Sequence, residues 1–297
     1  MTDIASLQRF AKPGSITIDA GLGGLPRVSF NTPLCRGEFY LHGAHLTFWQ
    51  PAGHAPVLWM GSQGAFATGK PIRGGVPVCW PWFGPAADAS KPAHGVARLQ
   101  PWSLESLSVS SEGEVTAVLR LSDTAATRAV WDAAFDLRLT AVFGRRLSIE
   151  LAGSNTGSAA FPVGEALHTY LAVADVRRVA VKGLAGAAGQ DRVAQPFAIT
   201  GAEEIRVAAE TDLLFTGTDA VVTVADPVLG RTLRVSKSGS GSTVVWNPWV
   251  AKAARLADFG DHEWPGMICI EAANAGSDVY QLAPGATHRL QQVIEVL

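Results

Sequence analysis

Apolar and polar residues alternate along much of this chain with the period of two that a half-buried strand requires. The clearest case is Phe135-Asp136-Leu137-Arg138-Leu139-Thr140-Ala141-Val142-Phe143. Gly144-Arg145-Arg146 then turns the chain and Leu147-Ser148-Ile149-Glu150-Leu151 alternates again, which predicts a hairpin. Leu104 to Ser110 and Val115 to Leu121 form a similar pair around Glu112-Gly113. Val179 to Val181, Val221 to Val224, Leu233 to Val235 and Thr243 to Trp246 read as further short strands. Helical spacing is scarce. One short helix is expected at 3–10, capped by Asp3, with Ile4, Leu7 and Phe10 near one face and Pro13-Gly14 beyond its end. The Ala-rich stretch from Thr124 to Ala134 could be a second helix, but Trp131 and Phe135 suit a sheet equally well, and strand is the preferred reading. Turn clusters at 153–157, 183–189 and 236–242 are too short to separate domains, and no internal repeat is visible. The pattern predicts an all-β chain, 1–297 as a single domain, built as a large antiparallel β-sandwich.

Composition narrows the function. Hydrophobic residues make up 47% of the 297, enough for a substantial core, while charged residues are only 17%. The 24 Lys+Arg nearly cancel the 26 Asp+Glu, for a net charge of −2. That excludes a broad electrostatic footprint for nucleic acid or an anionic membrane, so an anionic ligand must be held by a few placed residues. Nine Trp with 31 Gly and 17 Pro point to short strands, many turns and surfaces suited to a flat partner such as a sugar. Cys35, Cys79 and Cys269 form no CxxC pair and no disulfide framework, which favours a reducing cytoplasm. The opening MTDIASLQRFAKPG has no signal-peptide pattern. Residues 39–69 lack Asp, Glu, Lys and Arg, yet Pro51, Pro56, several glycines and three histidines argue against a lipid-facing helix.

Some apparent motifs carry nothing. Gly64 to Lys70 resembles a phosphate-binding loop, but Pro71 stands where Mg²⁺ binding needs Ser or Thr. His42 and His45, with His54 as a third, are spaced like metal ligands, but Gly43 sits between them and no acidic or thiol partner is near. Two polar residues flanking a tight turn is the better reading, and no metal or other cofactor is expected.

Four segments carry the candidate chemistry: Lys70 to Pro85 (KPIRGGVPVCWPWFGP), Ala93 to Arg98 (AHGVAR), Glu165 to Tyr170 (EALHTY), and a fourth running from Val245 (VWNPW) through Asp258-Phe259-Gly260-Asp261 to Met267-Ile268-Cys269-Ile270-Glu271. Glu271 ends an apolar run, where a carboxylate is costly unless it is paired or opens on a site. A strand-end salt bridge explains it as well. His168 and Tyr170 share a strand face, and His168 with Glu271 would supply one acid and one base, although a satisfied core histidine is the commoner outcome. Arg73 precedes two glycines that could expose backbone N–H groups to a ligand, and Arg98 and His94 lie in another glycine-containing turn. The arginines suit a phosphate or ordinary ion pairs. Trp80, Trp82, Trp246 and Trp249 could floor a sugar site or simply pack the core.

The run KPIRGGVPVCWPWFGP, then HGVAR, EALHTYL, AETDLLF, VVWNPW and MICIEAANA, in that order from about residue 40 to the end, resembles the hexose-6-phosphate mutarotase branch of the aldose 1-epimerase superfamily. The resemblance implies an isomerase that interconverts α and β anomers of hexose 6-phosphates through ring opening, with a cleft on one sheet, no cofactor, and a small sugar phosphate as partner to a monomer. It implies His168 as general acid and Glu271 as general base. Arg73 and Arg98 become phosphate ligands, and His94 and Asp212 sugar contacts. Ala93 stands where some members carry a polar residue such as Gln, which removes one substrate hydrogen bond. The alternatives are a non-catalytic sugar-phosphate binder, a mutarotase of unphosphorylated aldoses, and a glycoside hydrolase. The last needs two carboxylates, for which Asp212 is the best partner to Glu271.

Overall fold

The computed structural model describes residues 4–297, and its strands assemble into two eight-stranded antiparallel sheets with two smaller ones. The back sheet runs, in spatial order, Ala180–Lys182, Val222–Asp226, Arg231–Ser238, Thr287–Val296, Arg146–Asn155, Phe135–Phe143, Val115–Ser122 and Ser103–Val109. The alternation in Phe135–Phe143 aims Phe135, Leu137, Leu139, Ala141 and Phe143 inward, all buried, and leaves Arg138 exposed. The predicted hairpin pairs Phe143 with Leu147.

The front sheet runs Phe197–Thr200, Ala188–Asp191, Thr211–Thr216, Ser242–Asn247, Met267–Asn274, Glu165–Leu167 and Val78–Cys79, with Tyr170–Ala172 also paired to Met267–Asn274. All eight residues of Met267–Asn274 are buried. Its first half, Met267 to Ile270, is apolar without alternation because both faces of the strand are buried. A four-stranded meander, Ile16–Ala20 to His45–Pro51, accounts for the start of the uncharged stretch. No helix among the described residues is long and apolar enough to cross a membrane.

Two local expectations change. The N-terminal helix is short, Ile4–Leu7 followed by a 3₁₀ turn at Gln8–Phe10, and its expected cap, Asp3, lies outside the described residues. Ala125–Val130 is helical, contrary to the strand reading. Thr124 accepts the Thr127 N–H and Thr127 Oγ1 accepts the Thr124 N–H, a reciprocal cap that fixes the first turn. The sequence signal was there in Thr124 and Thr127, and Trp131 merely ends the helix as its extended C-cap.

The Gly-Gly pair after Arg73 also serves differently than expected. Gly74 and Gly75 have φ of 104° and 58°. A Cβ on Gly75 would stand 2.0 Å from the Leu46 carbonyl oxygen, and one on Gly74 would stand 2.6 Å from Met60 Cα. The glycines let this segment lie flush against its neighbouring chain, with the Gly75 N–H donating to the Trp59 carbonyl at 2.6 Å, and do not form a ligand cradle. Gly95 does the same for the His94 loop, with φ of 74° and a virtual Cβ 2.0 Å from the Trp80 carbonyl oxygen.

That contact yields a test. Gly95→Ala should cost about 2 kcal/mol or more, from a strained φ plus a backbone clash. Gly14→Ala, at similar φ but with open space around it, should cost less. Equal shifts in the denaturation midpoints of the two variants would remove the Trp80 contact as the reason for glycine at 95.

Candidate active site

All four chemistry-bearing segments meet at one cavity of about 390 Å³ on the front sheet. Arg73, Phe83, His94, His168, Asp212, Trp246 and Glu271 line it, together with Arg192 and Lys252, which no sequence motif marked. A neighbouring cavity of about 480 Å³ shares Phe83, Pro85 and Arg192 with it but is mainly apolar. The smaller cavity holds the titratable groups and is the chemical site.

Glu271 sits mid-sheet, opposite Val244 on one side. His168 lies where the facing strand is interrupted: the register pairs Leu167 with Ala272 and resumes at Tyr170 with Cys269. His168 Nδ1 and Glu271 Oε1 are 3.3 Å apart, and the two side chains are 10% and 1% exposed. They are close enough to exchange a proton but not aligned as a hydrogen bond, and His168 Nδ1 and Glu271 Oε2 have no hydrogen-bond partner. Tyr170 stacks on the imidazole at 4.8 Å with the planes 8° apart, although His168 stands in the gap between two strands and not on a shared strand face, and Trp246 meets it edge-on.

Burial dominates the electrostatics. It drives the Glu271 carboxyl well above the ordinary carboxylate range; Arg192 pulls it back down and Asp212 pushes it up. Burial likewise holds His168 well below its ordinary value, reinforced by His94, Arg73 and Arg98. Both shifts favour the uncharged pair, a protonated carboxyl beside a neutral imidazole. The charged form, carboxylate and imidazolium, holds the same single proton moved across the 3.3 Å contact.

The other site residues are already engaged. Asp212 Oδ1 accepts from Arg192 Nη2 at 2.6 Å and Nε at 3.0 Å. Arg73 donates Nη1 to the Tyr170 hydroxyl at 2.8 Å and Nη2 to Asp258 at 2.9 Å, while its Nε is buried without a partner. Lys252 pairs with Glu210 at 3.0 Å. His94 has a left-handed φ of 62° and accepts the Gly84 N–H at Nδ1 over 3.3 Å. That bond places its own hydrogen on Nε2 and makes it a neutral donor, and burial together with Arg98 pushes it down to about 3. Arg98 does not line the cavity. Its guanidinium donates to the Ala93 carbonyl at 2.8 Å, bracing the His94 loop from behind.

Of the four tryptophans proposed as a floor, only Trp246 lines this cavity. Trp80 is fully buried in the core, Trp82 faces the neighbouring cavity, and Trp249 packs on Trp264. His42 and His45 each bond a backbone carbonyl, Lys70 and Gly74 respectively, and act as braces. Donor atoms of His168, Cys269 and Glu271 lie within 4.8 Å of one another, but burial holds the Cys269 thiol far above its ordinary value, against the thiolate that metal binding needs.

The fold and site define a β-sandwich of the galactose mutarotase-like class. A crystallised galactose 1-epimerase from Lactobacillus acidophilus shares that fold, with TM-score 0.72 at 12% identity over 95% of this chain and 98% of that one. The sequence model for aldose 1-epimerase matches residues 26–295, and the chain belongs to that family. It is 33% identical over 276 residues to a protein of Escherichia coli K12 named as a candidate glucose-6-phosphate 1-epimerase, covering 93% of this chain and 92% of that one. A Salmonella typhimurium relative with the same name is 34% identical over 89% of this chain and 86% of its own length. The crystal structure of a candidate mutarotase, YeaD, from Salmonella typhimurium superposes with TM-score 0.89 at 31% identity, covering 99% and 98% of the two chains.

The direction of the His168 shift can be read directly. Heteronuclear NMR of the histidine side chains at pH 6 should show His168 as a neutral imidazole in the free protein. Imidazolium signals for His168 at that pH would overturn the neutral-pair assignment.

Proposed function

We propose that this protein is an isomerase that interconverts the α and β anomers of a hexose 6-phosphate, with glucose 6-phosphate the first candidate. The observation that carries this reading is the buried His168–Glu271 pair, 3.3 Å apart in a cavity wall that also presents Arg73, Arg192 and Lys252. The named relatives support the phosphorylated substrate.

In the substrate complex, Glu271 as carboxylate takes the C1 hydroxyl proton while His168 as imidazolium donates to the ring oxygen. The C1–O5 bond breaks and the C1 oxygen becomes a carbonyl. Rotation about C1–C2 presents the other face, and closure returns both protons. One acid and one base suffice, and each turnover restores the starting proton count. The neutral His94 donates through Nε2–H to the sugar, and Asp212, fixed by Arg192, accepts from hydroxyls. A hydrolase reading is weaker, because Asp212 is gripped by Arg192 and not poised as a second acid. Arg73 binds the phosphate with the N–H groups left over from its bonds to Tyr170 and Asp258. We assign Arg98 to support of the His94 loop, with its charge felt through His94. The three cysteines are buried and unpaired, which supports a reducing cytoplasm.

Glu271→Gln should slow anomer exchange by about 10²–10⁴-fold, the usual contribution of general acid–base catalysis. The thermal midpoint should be kept or raised, since a buried ionisable group becomes neutral. Polarimetry on fresh α-glucose 6-phosphate reads the rate, and near-wild-type exchange would remove Glu271 from the mechanism. The pH dependence of kcat/KM follows from the shifts. With His168 lowered and Glu271 raised, the one-proton state is present between the two titrations. Activity should be flat across neutrality. It should fall at acid pH as the imidazole also protonates and no base remains, and at alkaline pH as the carboxyl loses its proton and no acid remains. A narrow optimum centred in the ordinary carboxylate range would contradict this.

Phosphate selectivity separates the two arginines. A charge-assisted hydrogen bond is worth about 1.5–3 kcal/mol, or roughly ten- to a hundred-fold. Arg73→Ala should lower kcat/KM for glucose 6-phosphate by about that factor more than for glucose. Arg98→Ala should lower both alike through His94. Selective loss of the phosphorylated sugar in Arg98→Ala would return that arginine to the phosphate.

A further inference from the structure

The back-sheet strand Thr287–Val296 turns Leu290, Gln292 and Ile294 into the space between the sheets. Period-two patterning calls for an apolar residue at 292, yet a primary amide stands there at 0% exposure. Such an amide is tolerated only when both its functions are bonded. Both are, and both partners lie across the sandwich. Gln292 Oε1 accepts from the Thr169 hydroxyl, and Gln292 Nε2 donates to the Ile270 carbonyl at 3.0 Å. Thr169 follows His168, and Ile270 precedes Glu271.

The clamp falls where the front sheet is weakest. The Thr169 N–H closes a tight turn onto the Leu167 carbonyl at 2.9 Å, with His168 at its apex, and the Ile270 N–H donates to the Thr169 carbonyl at 3.2 Å. Regular pairing is interrupted there, between Leu167–Ala272 and Tyr170–Cys269. An interrupted ladder leaves local freedom in how far His168 stands from Glu271. We propose that Gln292 is a positioning residue for the His168–Glu271 pair, tying the residue after the histidine to the residue before the glutamate from the opposite sheet. This rests on the reading that the pair performs the proton transfers.

Gln292→Met keeps length and volume but removes both cross-sheet bonds, leaving the Thr169 hydroxyl only its long 3.4 Å bond to the Leu167 carbonyl. Because small misplacements of reacting groups cost rate steeply, kcat should fall about tenfold or more. KM for glucose 6-phosphate should stay within about twofold, because Arg73, His94 and Asp212 are untouched. Thr169→Val should show the same split, and the double variant should be no worse than the poorer single, since both break one clamp. Thr169→Ser, which keeps the hydroxyl, should recover most of kcat. Gln292→Glu, as a buried protonated acid, keeps one donor and one acceptor, so its kcat should approach wild type at low pH and decline as pH rises. If Gln292→Met fails to fold, the two Thr169 variants decide alone.

Wild-type kcat in Gln292→Met or Thr169→Val, with only the thermal midpoint lowered, would overturn the assignment and leave the amide a structural tie. With Glu271→Gln inactive in the same assay, that outcome sinks the Gln292 proposal alone. A wild-type protein without anomer exchange, or a fully active Glu271→Gln, overturns the reading of the pair and the proposal with it.

Discussion

The structure is organised around a carboxyl that must sit where no water solvates it. Glu271 occupies the middle of a strand whose eight residues are all buried, and a lone carboxylate there would be strongly unfavourable. Burial favours the protonated carboxyl, and the chain places a base, His168, within 3.3 Å of it. His168, also buried, resists charge in the same way, so both environments favour the uncharged forms. Much of the surrounding architecture holds these two side chains at that separation.

Three kinds of contact do so. Tyr170 and Trp246 box the imidazole with aromatic faces and edges. Arg73 fixes Tyr170 through its hydroxyl and is itself fixed by Asp258, so the stacking partner cannot swing away. His94 is held by Gly84, on a loop that approaches the Trp80 backbone because residue 95 is glycine. The cations are balanced in turn: Arg192 against Asp212, Arg73 against Asp258 and Lys252 against Glu210. A site with little net field before substrate arrives fits a protein whose overall charge is nearly zero, and it leaves discrimination to local geometry.

The sheets were legible because alternation survives wherever one face of a strand meets the core, as in Phe135–Phe143. The segments that supply the site were legible too, since glycine, proline, histidine and tryptophan are costly to place without reason. Their roles were less so. Gly74 and Gly75 looked like a ligand cradle, but the close approach that demands them is to Leu46 and Met60, residues far away in sequence. Arg192 follows an unremarkable short strand, and its meaning comes from facing Asp212 across strand pairing that no local pattern encodes. The helix at Ala125–Val130 reads as strand in the sequence because the aromatic residues after it mask a cap built from two threonines. Protonation was the least legible property. Histidine reads as an acid near neutral pH only when solvated, and the extent of burial is a tertiary fact.

The neutral pair also bears on why a mutarotase needs little else. Opening the ring moves one proton onto the molecule and one proton off it, with no net change. A pair holding one proton can run this in either direction, because each step leaves the same count behind. Desolvation pushes the two groups in opposite directions, toward a protonated carboxyl and a neutral imidazole. The energetic cost of burying Glu271 is thus tied to the condition that lets either anomer be taken up and released by the same site.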